Sequence, residues 1–291
     1  MTKRILVVGA TGLQSGAVVD ALLSGVYGDF GVYAMTSDVK SDDAVDLRRL
    51  GARIVPGDLD RPGSYRPYFE QVDGAFLVTD STDADYDREV RRGYDFVDAA
   101  ARAGLDHLVF ASAMGADFYA DVDMLDAKLA IERRIRDRGV PATVVRPGVF
   151  VQHFEAERAA VRDGELAWPV SPTTLLPLVD AHDVGAVAAM AFAHPERFVG
   201  EDVDLAGDLL TLPEMAEAFS ATIQREVDPV HLSREEAGER FGEQTVAYLH
   251  WIDGMGGLKF DATHLAELDI QPRSLREALD AGDWKPTPAL P

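Results

Sequence analysis

The chain opens with a short apolar run that leads directly into a glycine-rich stretch. The run "RILVV" is followed by Gly9, Gly12 and Gly16, and apolar residues at helical spacing continue through "LQSGAVVDALLSG". A β-branched run of this length predicts a strand that is buried on both faces. Glycines between a strand and a helix let a ligand approach the backbone, and the free N–H groups of the helix favour an anion. The first 25 residues therefore predict a strand, an anion-binding turn and a helix.

The same alternation repeats through the first half of the chain. Further strands are predicted at "GVYAMTS", "ARIVPGDLD", "DGAFLVTD", "DHLVFASA" and "PATVVRPG", with helices between most of them. Six strands that alternate with helices predict an α/β fold, a doubly wound parallel sheet of the Rossmann type.

The alternation becomes irregular after about residue 150, which predicts a second, smaller lobe. We expect residues 1–150 to form the Rossmann domain, with residues 176–206 packing back onto it. Residues 151–175 and 207–291 are predicted to form a smaller C-terminal α+β lobe for a substrate or a partner. Open α/β sheets bind ligands at the carboxyl ends of their strands.

The charge of the chain is strongly negative. Among 291 residues, 50 acids and 28 bases give a net charge of −22, and the acids are scattered along the whole sequence. Scattered acids on a chain of normal hydrophobicity predict a solvated acidic shell, which salt would screen, so we expect a halophilic source. The same field repels phosphate backbones, so direct binding of nucleic acid is not expected.

Several classes of protein are disfavoured by what the sequence lacks. The absence of cysteine excludes disulfides, thiol nucleophiles and Cys-ligated zinc. No apolar run approaches the roughly 20 residues that span a bilayer, and no secretory signal is visible, so we expect a cytoplasmic protein without a membrane partner. The sequence contains no Gly-x-Ser-x-Gly motif, so an α/β hydrolase is disfavoured.

The glycine pattern favours a dinucleotide over other phosphate ligands. Gly9 and Gly12 occupy the first two positions of a dinucleotide-binding turn, and Ser15 occupies the third, with Gly16 after it. No Gly-Lys-Ser/Thr follows, so a Walker-type phosphate loop is excluded. An ordinary strand-to-helix turn that uses glycine is the alternative.

These residues resemble a known family. The stretch "GATGLQSGAVV" is similar to the "GATGxQG" opening of NmrA-like proteins, which belong to the atypical short-chain dehydrogenase/reductase superfamily, and the similarity extends over nearly the whole chain. The resemblance implies a Rossmann fold that binds NAD(P). It also implies pyrophosphate contacts at Gly9, Thr11, Gly12, Leu13 and Gln14, adenine contacts at Asp58 and Leu59, ribose contacts at Val78 and Thr79, and nicotinamide contacts at Pro147, Val149 and Phe150.

The choice between NAD and NADP stays open at this point. NmrA-like proteins that hold NADP commonly carry arginine just after the second strand, where this chain has Ser37. Asp38 could accept a hydrogen bond from a free ribose hydroxyl, which would favour NAD, whereas Lys40 could reach a 2′-phosphate. Ser37 and Lys40 are therefore predicted cofactor contacts, but they do not decide between NAD and NADP.

The catalytic residues of short-chain enzymes are only partly present. Such enzymes typically use a tyrosine, a lysine four residues later that lowers the pKa of the phenol, and a serine that holds the substrate oxygen. Ser112 and Lys128 occupy the serine and lysine positions, but Met124 stands where the tyrosine is expected. Lys128 and Ser112 are the predicted catalytic residues.

Helical spacing places Lys128 on the side of its helix that faces the sheet or the cofactor, with Asp126 on the opposite side. A purely structural role for Lys128 would be a side chain that extends to solvent or an ion pair with Glu132. A functional role for Lys128 would be a contact to the cofactor ribose or action as a general base. The helix also resembles isoflavone-reductase-like relatives, in which a lysine here serves as base without a tyrosine.

Other polar and aromatic residues are weaker candidates. Tyr119 could reach the site from its loop, and "VDAHD" (Asp180, His182, Asp183) suggests a metal site, although a capped helix start is favoured and no metal is predicted. Six further residues could line a substrate pocket or belong to the core: His153, Phe154, Trp168, Tyr248, His250 and Trp251.

Two functions remain. The first is an NAD(P)H-dependent reductase of a small quinone, carbonyl or alkene compound that lacks the usual tyrosine. The alternative is a non-catalytic NAD(P) redox sensor that acts through a regulatory protein partner.

Overall fold

The computed structural model describes residues 2–79, 85–117, 120–282 and 284. They form two compact units: Met1–Arg146 with Ala181–Val203, and Pro147–Asp180 with Asp204–Pro291. Within the described ranges, no helix has the length and apolar character needed to cross a bilayer.

The described residues contain twelve strands, which form three sheets. The strands are β1 (Lys3–Val8), β2 (Phe30–Thr36), β3 (Arg53–Pro56), β4 (Gly74–Val78), β5 (His107–Ala111), β6 (Ala142–Pro147), β7 (Val149–Phe150), β8 (Glu165–Trp168), β9 (Leu176–Val179), β10 (Asp202–Leu205), β11 (Asp208–Leu210) and β12 (Asp228–His231).

The α-helices lie between and after these strands. They are α1 (Leu13–Leu23), α2 (Asp42–Leu50), α3 (Tyr86–Ala103), α4 (Asp123–Arg138), α5 (Arg158–Asp163), α6 (Ala181–Ala193), α7 (Pro195–Phe198), α8 (Leu212–Ile223), α9 (Arg234–Phe241), α10 (Glu243–Gly254), α11 (Ala262–Glu267) and α12 (Leu275–Ala281). Short 3-10 helices cover Pro62–Ser64, Arg66–Glu70 and Val151–Glu157.

The main sheet has the predicted doubly wound topology. Its order is β10-β6-β5-β4-β1-β2-β3, and the pairs among β1 to β5, together with β5–β6, are parallel. The order reverses beside β1, so the glycine-rich turn lies where such sheets bind ligands. The Rossmann-type fold is therefore confirmed.

The main sheet has one strand more than the six predicted. The segment "DVDLAGD" forms two strands, β10 beside β6 in the main sheet and β11 in the small sheet β11-β9-β7. Gly207 separates them and packs so closely against the backbone of Arg273 that a side chain would not fit. The pairing of β10 joins segments that are distant along the chain, which local periodicity does not reveal.

The helices of the first unit begin and end at residues suited to these positions. Ser41 and Asp85 accept hydrogen bonds from the first-turn N–H groups of α2 and α3, and the two helices end at Gly51 and Gly104, both left-handed. Short polar side chains satisfy the free N–H groups at a helix start, and glycine adopts the left-handed end without strain.

Close packing of α3 on α4 positions the site. Gly93 of α3 lies against Ile131 of α4, where a Cβ atom would collide with the isoleucine side chain. Both residues belong to faces that bury the main hydrophobic core. The small residue lets the two helices approach closely enough for their buried charged side chains to meet.

One prediction for α4 is wrong. Asp126 was expected on the outer side of the helix, but it is buried, and its carboxylate accepts a hydrogen bond from the Ala120 N–H at 2.9 Å. The preceding loop therefore covers the first turn of α4, which helical spacing alone does not show.

Candidate functional site

The glycine-rich turn joins β1 to α1 in a compact left-handed conformation. Gly9 has a φ of +61°, and its carbonyl accepts a hydrogen bond from the Gly12 N–H at 2.8 Å. Ser15, at the third position of the pattern, donates through its hydroxyl to the carbonyl of Val8 at 2.7 Å. Serine thus replaces the expected glycine by bonding back to the strand that precedes the turn.

The start of α1 is open to a ligand. No side chain caps the helix at Gly12, and its first turn carries no acidic residue. Thr11 and Leu13 are exposed, and the Oε1 atom of Gln14 is buried without a hydrogen-bond partner in the described structure. A helix start with free N–H groups and no acidic residue fits a phosphate anion.

Hydrogen bonds connect the turns that follow β1, β2 and β3 at one edge of the main sheet. The Ala10 N–H donates to the Met35 carbonyl at 2.9 Å, and the Gly57 N–H donates to the Thr36 carbonyl at 3.1 Å. An added Cβ atom at Gly9 would lie 3.9 Å from Cγ1 of Val78. The turns after β1, β2 and β3 and the end of β4 are therefore neighbours.

The turn after β2 presents an exposed serine and lysine. Ser37 and Lys40 are both exposed, and the Oδ1 atom of Asp38 accepts the Lys40 N–H at 2.9 Å. One carboxylate oxygen of Asp38 therefore stabilises its own turn.

The turn after β3 is held together by Asp58. Its Oδ1 atom accepts the Asp60 N–H and its Oδ2 atom accepts Nε–H of Arg61, both at 2.9 Å. Leu59 is partly buried and packs against the main core. The backbone of this predicted adenine contact is thereby fixed.

A carboxylate in the same turn binds arginines of α3. Asp60 accepts hydrogen bonds from Arg92 and Arg88, each with an Nη2–Oδ2 distance of 2.6 Å. These hydrogen bonds hold the pKa of Asp60 well below its usual range. The turn after β3 is thus attached to the start of α3.

Lys128 lies in a buried polar cluster at the end of β4. Its Nζ atom donates to the Thr79 carbonyl at 2.7 Å and to the Thr79 hydroxyl at 2.8 Å, and it lies 2.7 Å from Oε1 of Glu89. The lysine is 5% exposed, so its charge depends on these partners. The alternative of an ion pair with Glu132 is not what the structure shows.

Ser112 lies in a second buried cluster. Its hydroxyl donates to Oε1 of Glu132 at 2.7 Å, and Arg146 forms a two-point ion pair with the same carboxylate at 2.9 and 2.7 Å. Glu132 is fully buried. The hydroxyl hydrogen of Ser112 is therefore directed at a carboxylate of the protein.

Two charged residues of these clusters, Glu89 and Arg146, were not identified from the sequence. Glu89 precedes Gly93, Phe96 and Ala100 on α3 at intervals of 4, 3 and 4 residues, and all four are buried. Extending the apolar stripe back by one turn would have shown this glutamate on the buried face. Arg146 interrupts the apolar strand "TVVRP", which is a similar signal.

The predicted nicotinamide contacts belong to the second unit. Val149 and Phe150 form β7, which follows Pro147. His153 packs edge-on against Phe150 with ring centroids 5.8 Å apart. His153 is exposed, and desolvation by the surrounding protein lowers its pKa.

The other weak candidates separate into core and surface. Phe154 and Trp168 are fully buried and pack together with centroids 4.7 Å apart. Tyr248 is buried, which raises its pKa, and it stacks on Trp251, whereas His250 is exposed. Tyr119 lies outside the described residues.

The "VDAHD" segment runs into α6. Asp180 is buried and accepts hydrogen bonds from Gln152 at 2.8 Å and from Arg273 at 3.2 Å. His182 is exposed and Asp183 is buried in the first turn of the helix. Where the chain is described, no group of three or more histidine, cysteine, aspartate or glutamate side chains could hold a metal ion.

Comparisons with known proteins show similarity to one family over most of the chain. The model of the NmrA-like family matches residues 1–259. An NmrA-like family domain-containing protein of Dictyostelium discoideum is 25% identical over 273 residues, covering 88% of this chain and 89% of that protein.

Two solved structures share the fold. Citrobacter sp. triphenylmethane reductase complexed with NADP(H) has a TM-score of 0.81 at 22% identity, over 95% of this chain and 98% of that one. The negative transcriptional regulator NmrA in complex with NADP has a TM-score of 0.76 at 23% identity, over 97% and 99% of the two chains. With the turn after β1 and the sheet order described above, the match of the family model to residues 1–259 shows that this chain belongs to the NmrA-like family.

Proposed function

We propose that the protein binds NAD(P) and reduces a small quinone, carbonyl or alkene compound. The observation that carries the proposal is the uncapped, acid-free start of α1 behind the left-handed Gly9 turn. That site fits a pyrophosphate because backbone N–H groups and the helix dipole both favour a negative charge. Solved members of the fold, one a reductase and one a regulator, contain NADP.

The family pattern assigns the remaining cofactor contacts on this chain. The adenine would lie at Asp58 and Leu59, next to the predicted contacts Ser37 and Lys40, the ribose would lie at Val78 and Thr79, and the nicotinamide at Pro147, Val149 and Phe150. When bound, the reduced nicotinamide supplies a hydride. The neighbouring turns after β2 and β3 support the adenine assignment, because hydrogen bonds hold both backbones in place.

The predicted catalytic residues limit the class of substrate. Met124 cannot donate a proton, the Ser112 hydroxyl donates to Glu132, and Lys128 is held by Thr79 and Glu89. Compounds that take up a hydride without a proton donor fixed by the protein suit this arrangement. A quinone is such a compound because water can protonate the reduced oxygens.

A non-catalytic redox sensor is the second candidate. Met124 at the acid position favours it, as do the internal hydrogen bonds of Lys128 and Ser112. In that case, occupancy by the dinucleotide would control binding to a regulatory protein. The predicted cytoplasmic location, and the predicted absence of direct nucleic-acid and membrane partners, stay predictions for both candidates.

Binding of the dinucleotide is tested by calorimetric titration with NADH and NADPH in concentrated KCl. Replacing Gly12 with valine should abolish binding, because the side chain would occupy the open start of α1, where even a Cβ atom lies 3.3 Å from the Gly9 carbonyl oxygen. The control is Gly254→Ala, since that glycine has open space around it. Absence of heat with both coenzymes in the wild-type protein would refute the proposed function.

Turnover separates the two candidates. Oxidation of NADH and NADPH is followed with a panel of quinones, aldehydes and activated alkenes. Turnover that Gly12→Val removes and Gly254→Ala retains supports the reductase. Tight binding without turnover for every acceptor in the panel supports the sensor.

A further inference from the structure

We propose that Glu89 and Lys128 are positioning residues that act on the cofactor through Thr79, and that Lys128 does not transfer the proton of the reaction. This inference rests on the proposed function for its effect on the cofactor. The cluster itself is formed by side chains and backbone of this chain alone.

Oxygens of Thr79 and Glu89 surround the amine of Lys128. An ammonium group has three N–H bonds, and three oxygens lie within 2.8 Å of Nζ: the Thr79 carbonyl, the Thr79 hydroxyl and Oε1 of Glu89. Each N–H bond therefore has an acceptor inside the protein. With its N–H bonds directed at these three oxygens, Nζ offers no free lone pair to a substrate.

The hydroxyl of Thr79 connects Lys128 with Glu89. Its hydroxyl accepts from Lys128 and donates to Oε1 of Glu89 at 2.6 Å. The glutamate oxygen thus accepts from Thr79 and faces the lysine charge. Thr79 and Glu89 are each 3% exposed, so neither side chain can exchange these partners for bulk water without moving.

The cluster joins the end of β4 to α3 and α4. Thr79 is the first residue after β4, Glu89 lies in the first turn of α3, and Lys128 lies on α4. A carboxylate near a helix start is stabilised by the helix dipole. The cluster therefore fixes the end of β4 against two helices, at the position where the family pattern places the cofactor ribose.

Loss of either charge should release this strand end. Removing one partner of a buried ion pair leaves the other charge uncompensated, and the remaining side chain then moves toward water. In Glu89→Gln or Lys128→Met, the Thr79 carbonyl loses its fixed position. The effect on the cofactor is expected in its affinity, since no atom of Lys128 is assigned to the hydride or proton transfer.

The matched control is an ion pair between the same two helices away from this cluster. Asp98 of α3 accepts hydrogen bonds from Arg134 and Arg138 of α4, each at 2.8 Å to its nearest nitrogen. Asp98→Asn removes a charge that joins α3 to α4 without touching Thr79. It controls for a general loosening of the helix pair.

The first experiment is amide hydrogen exchange on the cofactor-free protein. In Glu89→Gln and Lys128→Met, exchange at residues 77–79 should accelerate by about tenfold relative to the amides of β1, which corresponds to about 1.4 kcal/mol of local opening. Asp98→Asn should leave this ratio unchanged. Equal ratios in all four proteins would overturn the positioning role whether or not the protein binds a coenzyme.

The second experiment separates affinity from turnover. Glu89→Gln and Lys128→Met should raise the Kd for the preferred coenzyme by about tenfold, with kcat at saturating coenzyme and its pH profile retained. Loss of kcat in Lys128→Met with an unchanged Kd would identify Lys128 as the base. Weak coenzyme binding in Lys128→Met alone would mean that the lysine contacts the coenzyme itself.

Two threonine variants keep the proposal testable if Lys128→Met does not fold. Thr79→Val removes the hydroxyl and should weaken coenzyme binding as Glu89→Gln does, whereas Thr79→Ser retains the hydroxyl and should bind as the wild-type protein does. Equal affinities for Thr79→Val and Thr79→Ser would contradict the proposal. A wild-type protein that binds no coenzyme would defeat the proposed function instead.

Discussion

Single residues at the carboxyl edge of the main sheet determine what a ligand would meet there. Ser37 is exposed beside the turn after β3, and one oxygen of Asp38 is engaged with the Lys40 N–H. The edge near the predicted adenosine therefore combines a small neutral side chain, a lysine and a partly occupied carboxylate. Coenzyme preference should be sensitive to a single substitution there.

Ser37→Arg should shift the preference toward NADPH. A guanidinium forms a two-point hydrogen bond with a phosphate, and such a pair adds about 1.5–3 kcal/mol. We expect the ratio of the NADH Kd to the NADPH Kd to rise by about tenfold or more. Calorimetric titration of both coenzymes measures this ratio, and Ser37→Ala is the control for loss of the serine. An unchanged ratio would remove position 37 from the adenosine site.

His107 should make the protein sensitive to acid. It is buried on β5, and its Nε2 atom lies 2.9 Å from the Thr143 hydroxyl, which donates its own proton to the Phe198 carbonyl. Nε2 must therefore carry the imidazole proton. Desolvation, with a smaller contribution from Lys3, lowers the pKa of His107 to about 4.

The sign of the pH effect follows from this lowered pKa. The unfolded chain binds a proton at His107 near pH 6.5, and the folded chain binds it only near pH 4. Stability from this residue is thus lost as the pH falls from 6.5 to 4, by up to about 3 kcal/mol. Between pH 6.5 and pH 4, the His107→Gln protein should lose less free energy of unfolding than the wild-type protein does. Urea unfolding at several pH values measures this difference. Parallel pH profiles for the two proteins would contradict the assignment.

At the scale of elements, close helix packing depends on glycines whose role is invisible in the local pattern. Gly185 of α6 lies so close to the backbone of α1 at Ala17 that a Cβ atom on residue 185 would collide with the Ala17 carbonyl oxygen. Because α1 carries the proposed pyrophosphate site at its start, this contact connects helix packing with the site.

Gly185→Ala should destabilise the first unit and weaken coenzyme binding. The added methyl group would push α6 away from α1, and overpacking of this kind costs about 1–3 kcal/mol. Gly238→Ala on α9 is the matched control, because that helical glycine has open space and alanine is the better helix former there. Thermal unfolding and calorimetric titration check the two effects. A Gly185→Ala protein as stable as the wild type would show that α6 can move without cost.

Local signals predicted the elements better than their partners. The predicted strand runs form strands, glycines end α2 and α3, and Thr211 and Glu214 form the capping box that starts α8. The place of β10 beside β6 was not predictable, because a four-residue strand carries no record of which distant strand it will pair with. For the same reason, the spacing of α4 placed Lys128 on the buried side but could not identify Glu89 as its partner.

At the scale of the whole molecule, a net charge of −22 should make stability depend on salt. Repulsion between surface carboxylates acts over a screening length of about 10 Å at 0.1 M salt and about 3 Å at 1 M. The melting temperature should therefore rise between dilute buffer and molar KCl. Differential scanning calorimetry at several KCl concentrations measures this, with sucrose as a control for an uncharged stabiliser. A melting temperature that is flat in KCl would contradict the acidic-shell interpretation.

The sequence by itself determined the class of the fold and the location of the proposed phosphate site. Both follow from short-range chemistry: β-branched runs extend, apolar residues at helical spacing form helices, and Gly9 and Gly12 permit a tight turn before α1. Tertiary structure alone decided which buried charges meet. Lys128 pairs with Glu89 on a neighbouring helix and not with Glu132 on its own, because a buried charge is stabilised by the partner that packing brings within reach, whatever their separation along the chain.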